Sequence, residues 1–273
     1  MPELAAITLH INPYIQVGPF AVAWHGLTIA LGLLFGLVPA RRYARERGLD
    51  PEVLTTALLV IAFTGMVGAR LFYLLETQPA DVLRPWTWLG SRGFAFNGAL
   101  ILAPLAVAAY LRQTGLSARY LDALAIGFPL GMAVGRVGDV INGEHYGPPT
   151  DLPWGVRLTH SDADVPSSAV AYHSGGLYEI VLAAAIFALL WPLRRRFRRP
   201  TMLLWTALGL YATGRFLMFF YRSDSAQLTL GLNGSQWTSL VLVVVALGGA
   251  SVVHRSTRAP RPLAPARGGT GEN

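Results

Sequence analysis

The chain contains no cysteine and no lysine, and only 14% of its 273 residues carry a charged side chain. The missing cysteines exclude disulfides, thiolate metal sites and a nucleophilic thiol of the protein's own, so a thiol that reacts here arrives on a substrate. A soluble domain carries roughly one quarter charged residues. So little charge, with a mean hydropathy of +0.43, excludes an ordinary soluble fold and points to a membrane protein. All 22 basic residues are arginine, a bias that a GC-rich genome explains without chemistry. A net charge of +7 suggests nucleic acid in a soluble protein, but these arginines cluster beside apolar runs, which is a topology signal. No HExxH zinc spacing, P-loop or dinucleotide fingerprint occurs, so the reading calls for no cofactor and no metal.

Seven apolar runs approach the roughly 20 residues of a bilayer crossing: 21–40, 53–75, 94–111, 120–141, 177–193, 202–221 and 237–253. The expected fold class is therefore all-α, a polytopic membrane protein with seven transmembrane helices. The first run is no cleavable signal peptide, because no small-residue cleavage site follows it before "ARRYARERG". Arg41, Arg42, Arg45, Arg47, Arg112, Arg119, the 194–199 cluster, and Arg255, Arg258, Arg261 and Arg267 fall on one side of such a bundle. Only Arg84, Arg92, Arg157 and Arg222 fall on the other. The positive-inside rule then places the N-terminus outside and the C-terminus in the cytoplasm. Residues 1–254 form the membrane domain, with a long outer loop at about 142–176, and 255–273 read as a disordered basic cytoplasmic tail.

Three arginines lie within spans: Arg70, Arg136 and Arg215. Each sits about five residues, roughly 8 Å at the helical rise, from the outer end of its span. A buried arginine costs at least about 2.5 kcal/mol on insertion scales. Either each snorkels to the outer interface, or the three share an anion. Asp139, Glu144, Glu76 and Glu179 lie at the same level. A phosphodiester fits better, since a guanidinium presents a fork matched to two phosphate oxygens, and an anionic headgroup in the outer leaflet has the right depth. The stretch "AVGRVGDVINGEHYG" concentrates the polar groups. Gly135 and Gly138 flank Arg136 and allow close approach of a lipid or a helix. Asp139, Asn142 and Glu144 follow as binding groups, or else as a helix end capped at Asn142 and Gly143 with Asp139 paired to Arg136. Arg215 and Arg222 share a helical face with Tyr211, and Phe219 lies between them. The outer loop, with Trp154, His160, Asp162, Asp164 and His173, is a lid or a plain loop.

"GRVGDVINGEHYG" closely resembles the signature of the prolipoprotein diacylglyceryl transferases. "VAWHGL", "GARLFYLL", "FAFNGAL", "HSGGLYE" and "GRFLMFFYR" extend the resemblance over about 22–237. It implies transfer of the diacylglyceryl group of phosphatidylglycerol to the lipobox cysteine thiol of a prolipoprotein, in the bacterial cytoplasmic (inner) membrane, with release of glycerol phosphate. Such chemistry needs cations on the departing phosphate and a base near the thiol. The resemblance assigns Arg136 and Arg215 to the phosphate and Glu144 to catalysis. Asn142, Asp139, Arg70, Gly98, Tyr178, His173 and Arg222 become substrate-binding positions.

Four positions depart from that pattern. Asn97, followed by Gly98 and Ala99, stands where the family carries its histidine, and an amide takes no proton at neutral pH. His25 replaces a tyrosine, Phe219 replaces a glutamate, and "HSGGLYE" keeps His173, Tyr178 and Glu179 but loses the middle of the motif. Two readings follow. In one, His25 supplies the base and Asn97 only hydrogen-bonds. In the other, a diverged paralogue binds anionic phospholipid or lipoprotein without transfer. A small anion or lipid transporter is a third class, and the absence of a Pro-broken inverted repeat speaks against it.

Overall fold

A computed structural model of the chain describes residues 6–18, 20–88, 93, 95–223 and 227–256, apart from the side chains at 17, 20, 96 and 97. The chain is mostly helical: α1 (Trp24–Glu46), α2 (Glu52–Thr77), α3 (Phe96–Gln113), α4 (Arg119–Gly135), α5 (Val137–Asn142), α6 (Gly175–Leu193), α7 (Met202–Met218) and α8 (Gly234–Ser256). Among the described residues, six helical segments are long and apolar enough to cross a membrane, α4 and α5 together making one of them. The third apolar run forms α3, whose stretch Gly98–Gln113 is shorter than the other six. Position 256 ends α8, and the expected tail from 257 onward lies outside the described residues.

Large side chains point away from the bundle: Val38, Leu59 and Phe63 are 67%, 67% and 71% exposed, the inversion expected of helices solvated by lipid. The closest backbone approaches between helices are made at small residues, beside a buried cluster that includes Tyr43, Leu54, Ile126, Leu190 and Leu203. Helices α1 and α4 meet through Gly32 and Gly36 on one side and Gly127 and Gly131 on the other. A Cβ on Gly131 would lie 2.7 Å from the Gly32 carbonyl oxygen, and one on Gly36 3.0 Å from that of Gly127. Helices α2 and α3 repeat the device, since a Cβ on Gly68 would lie 2.5 Å from the Gly98 carbonyl oxygen.

The bundle has two poles of different character. At one, Glu46 accepts from Arg194 (2.7 Å) and Arg195 (3.2 Å), Arg47 donates to the carbonyls of Arg194 and Phe197, and Arg119 donates to that of Arg198. Buried Asp122 accepts from the backbone N–H groups of Thr201 (2.7 Å) and Leu204 (2.9 Å), satisfying the first turn of α7. At the other pole, β1 (Ile7–Leu9), β4 (Tyr146–Pro149), β5 (Val156–Leu158) and β6 (Tyr172–Ser174) form a sheet of order β1-β5-β6-β4. Strands β2 (Tyr14–Val17) and β3 (Phe20–Ala23) make an antiparallel hairpin leading into α1. The long loop of the sequence reading is thus a small sheet completed by the N-terminal strand.

The fourth apolar run breaks where the polar residues begin. Helix α4 stops at Gly135, and Arg136 joins it to α5. Thr28 of α1 secures the break, its hydroxyl donating to the Gly135 carbonyl (2.9 Å) and accepting from the Gly138 N–H (3.1 Å). Gly138 is required there, because a Cβ would lie 2.6 Å from the His25 Cα. Helix α5 ends at Gly143, whose φ of 82° is the left-handed cap glycine tolerates.

Candidate active site

The break at Arg136 turns its guanidinium into the space between α1, α5, α6 and α7. Arg136 and Asp139 form a buried ion pair, and Arg136 Nε lies 2.7 Å from Glu179 Oε2. From α7, Arg215 Nη1 lies 2.5 Å from Glu179 Oε1. Tyr211, one turn before Arg215, donates its hydroxyl to the same Oε1 at 2.5 Å and lies 3.2 Å from Arg215 Nη1. One carboxylate, 3% exposed, therefore joins the two arginines that the sequence set apart by their depth. Arg215 borders a small cleft between α3, α7 and α8, where Leu100, Ser235, Thr238 and Ser239 also line the wall.

A second group surrounds Asp139, which is 1% exposed. His25 Nδ1 lies 2.6 Å from Asp139 Oδ1 and 3.5 Å from Glu144 Oε2. Asn142 donates to Glu144 Oε1 at 3.0 Å. His145 Nε2 lies 3.8 Å from Asp139 Oδ2, and its Nδ1 lies 2.7 Å from Arg222 Nη2. His145 has a φ of 67°, a left-handed conformation it shares with Thr201 and Leu230 elsewhere in the chain. His25, Asp139 and Glu144 bring three metal-ligand atoms within 4.8 Å of one another. Arg136 on the same Asp139 carboxylate already supplies positive charge, which opposes a divalent ion at that point.

Farther out, Arg222 follows the short 3-10 turn at Phe219–Tyr221, so it stands beyond α7 and not on its face. The Phe219 ring still lies between the two cations, 4.9 Å from the Arg215 guanidinium carbon and 4.4 Å from that of Arg222. It offers the cations an aromatic face where the family pattern has a carboxylate. Tyr178 and His173 are hydrogen-bonded to one another, and Trp154 Nε1 donates to Tyr178 Oη at 3.2 Å. Burial lowers the His173 imidazole below its ordinary value of 6.5, so it is neutral at pH 7.

The sequence expectations are not all gathered at this centre. Arg136, Arg215, His25, Glu144, Asp139 and Asn142 are together, with Arg222 joined through His145. Arg70 is elsewhere: it donates to the carbonyls of Thr87 and, at 2.9 Å, Gly93, tying α2 to the segment before α3. Gly98 is the buried helix-contact glycine described above. The Asn97 side chain lies outside the described residues. Glu144 meets Asn142 and His25, and it is Glu179 that bridges the arginines. Glu179 and His145 were not among the residues assigned from the sequence. Glu179 carried a signal, as the last residue of "HSGGLYE", whereas nothing in the sequence brings His145 to Arg222.

The chain is similar to known proteins over most of its length. The family profile of the prolipoprotein diacylglyceryl transferases matches residues 13–252. A phosphatidylglycerol–prolipoprotein diacylglyceryl transferase of Gloeobacter violaceus is 33% identical over 92% of this chain and 95% of its own length. Proteins of the same description from Geobacter sulfurreducens (33% identical, 81% of this chain, 86% of the relative) and Frankia alni (32%, 92% and 68%) are similarly close.

Proposed function

Because the chain belongs to the prolipoprotein diacylglyceryl transferase family, we propose that it transfers the diacylglyceryl group of phosphatidylglycerol to the lipobox cysteine thiol of prolipoproteins. The observation that carries this reading is the pairing of Arg136 and Arg215 on buried Glu179 beside a cleft lined by α3, α7 and α8. The reaction breaks the bond between a glyceryl carbon and a phosphate oxygen, and negative charge grows on that oxygen as it leaves. Cations fixed in advance at that place stabilise the transition state without reorganisation. Arg215 takes the phosphate at the cleft, Arg136 supports it through Glu179, and Arg222 with the Phe219 ring binds the outward headgroup. Tyr178 and His173 line the outer approach. The nucleophile comes with the substrate, as a chain without cysteine requires.

The base is His25, whose imidazole adjoins Asp139 and Glu144. Position 97 on α3 precedes the cleft residue Leu100 by three residues, less than one helical turn, and Asn97 serves there as a hydrogen-bonding group. The protein is a multi-pass protein of the bacterial inner membrane, with seven crossings, the sheet and the site facing outward, and the arginine-rich pole in the cytoplasm.

Diacylglyceryl transfer from phosphatidylglycerol to a lipobox peptide by the purified protein tests this, run beside Arg215→Gln, His25→Ala and Asn97→His. Transfer by the wild type that is lost in Arg215→Gln and His25→Ala is the expected result. Bound phosphatidylglycerol with no transfer overturns the catalytic reading in favour of a lipid-binding paralogue.

A further inference from the structure

Two histidines approach Asp139, one on each oxygen, and their contacts, with Asp139 for His25 and with Arg222 for His145, fix them in opposite tautomers. His25 Nδ1 stands 2.6 Å from Asp139 Oδ1. Two lone pairs cannot face each other at that separation, so a proton lies on Nδ1, where Glu144 Oε2 at 3.5 Å also draws it. The neutral ring then carries its lone pair on Nε2, which has no partner among the described residues, and the side chain is 35% exposed. His145 is the reverse. Arginine has five donors and no acceptor, so the 2.7 Å contact of Arg222 Nη2 with His145 Nδ1 requires the lone pair on Nδ1. The proton of His145 is on Nε2, facing Asp139 Oδ2 at 3.8 Å.

From this geometry we infer that Asp139 is a positioning residue that makes His25 Nε2 the proton acceptor of the reaction, while Arg222 holds His145 in the tautomer that cannot accept one. The inference rests on the transfer reading above. Asp139 suits the role because it is buried, because Arg136 fixes its other oxygen, and because Gly138 lets α5 close on the His25 backbone. The arrangement of acid, imidazole and nucleophile is the logic of a serine hydrolase triad with the nucleophile supplied by the substrate.

The cysteine S–H gives its proton to His25 Nε2, and the sulfur electron pair forms the S–C bond to the glyceryl carbon. The C–O bond to phosphate breaks with its electrons remaining on the phosphate oxygen held by the arginines. The imidazolium, paired with Asp139, then passes its proton to the departing glycerol phosphate.

Nitrogen-15 NMR of the histidine-labelled protein, with His25→Gln and His145→Gln used to assign the two rings, reads the tautomers without any turnover. The expected signature is a protonated Nδ1 and unprotonated Nε2 for His25, and the converse for His145. The opposite pattern at His25 overturns the inference. Asp139→Asn offers an amide in place of the carboxylate, so the His25 signals change tautomer and transfer to a cysteine peptide falls by at least about 100-fold, in line with loss of the orienting acid of a triad. A peptide with selenocysteine in place of the lipobox cysteine brings a nucleophile already ionised at neutral pH. With it the deficits of Asp139→Asn and His25→Ala shrink at least tenfold, whereas a merely structural Asp139 leaves both peptides equally impaired and overturns the inference. Failure of the wild type to transfer to either peptide overturns the transfer reading, and the base role with it, while the NMR signals still decide the tautomers.

Discussion

Glu179 is the residue on which the cation pair depends. It accepts from Tyr211 and adjoins both Arg136 and Arg215, with only 3% of its surface exposed. Breaking a buried ion pair by removing one partner costs about 3–5 kcal/mol, because the remaining charge is left uncompensated. Glu179→Gln keeps the volume and removes the charge. Its thermal midpoint in detergent is expected to fall by roughly 10 °C, taking about 2–4 °C per kcal/mol for a chain of this size. Added phosphatidylglycerol restores more of that loss than it adds to the wild type, since the phosphate replaces the missing anion, whereas a neutral diacylglycerol restores none. An unchanged midpoint would show that the arginines are balanced elsewhere. The arginines were legible in the sequence, because a charge inside an apolar run is conspicuous whatever its partners. Their bridge was less so: Glu179 sits at the start of a run and reads as a helix-end carboxylate until the fold carries α6 alongside α4 and α7. Arg70 shows the reverse failure. It lies at the same sequence depth as Arg136 and Arg215, but depth along a helix does not fix the direction of the side chain, and Arg70 turns to loop carbonyls.

At the scale of the elements, the site depends on how near α1 comes to α4 and α5, since α1 brings His25 and α5 brings Asp139. That distance is set by glycine pairs four residues apart, Gly32 with Gly36 and Gly127 with Gly131, where an added Cβ meets a backbone carbonyl that cannot move aside. Gly131→Leu is expected to force the helices apart, with an overpacking cost of about 1–3 kcal/mol or more, and to reduce transfer at least tenfold although position 131 touches no group of the site. Gly209→Ala is the control: its Cβ would meet the Ala246 Cβ at 3.5 Å, ordinary contact, and transfer and thermal midpoint remain within error of the wild type. Equal effects of the two substitutions would remove the argument. The helices were readable from hydropathy alone, because lipid rewards a continuous apolar run whichever way it faces. Two features were not. The interruption at Arg136 is imposed by Thr28 of another helix, a tertiary contact that local pattern does not encode. The sheet β1-β5-β6-β4 joins strands of three or four residues from the N-terminus and from 146–174, too short to show a period-2 signal.

At the scale of the whole molecule, the two poles fix where the chemistry takes place. Helix α4 begins beside Asp50, whose carbonyl accepts from Tyr120, and beside Arg198; the segment from α4 to α5 finishes beside His25 and Glu179. Every connection at the first pole contains or is flanked by arginine, and the groups of the candidate site are at the second. Helix α3 links the poles as well, since Ala95 N–H donates to the Ala69 carbonyl at one end and Val107 and Leu111 join the buried cluster of Tyr43 and Tyr120 at the other. In the orientation proposed above, which follows the positive-inside rule, the first pole is cytoplasmic and the site meets secreted prolipoproteins and outer-leaflet phosphatidylglycerol. The natural absence of cysteine makes this directly measurable, because a single introduced thiol has no background. In intact cells a membrane-impermeant maleimide is expected to label Ser161→Cys, in the outer segment between β5 and β6. It should leave Ser117→Cys, between α3 and α4, unlabelled until the membrane is permeabilised. Labelling of both from outside would mean that the α4–α5 segment between them does not cross; labelling of Ser117→Cys alone would invert that segment and leave the arginine pair facing the wrong leaflet for its substrate.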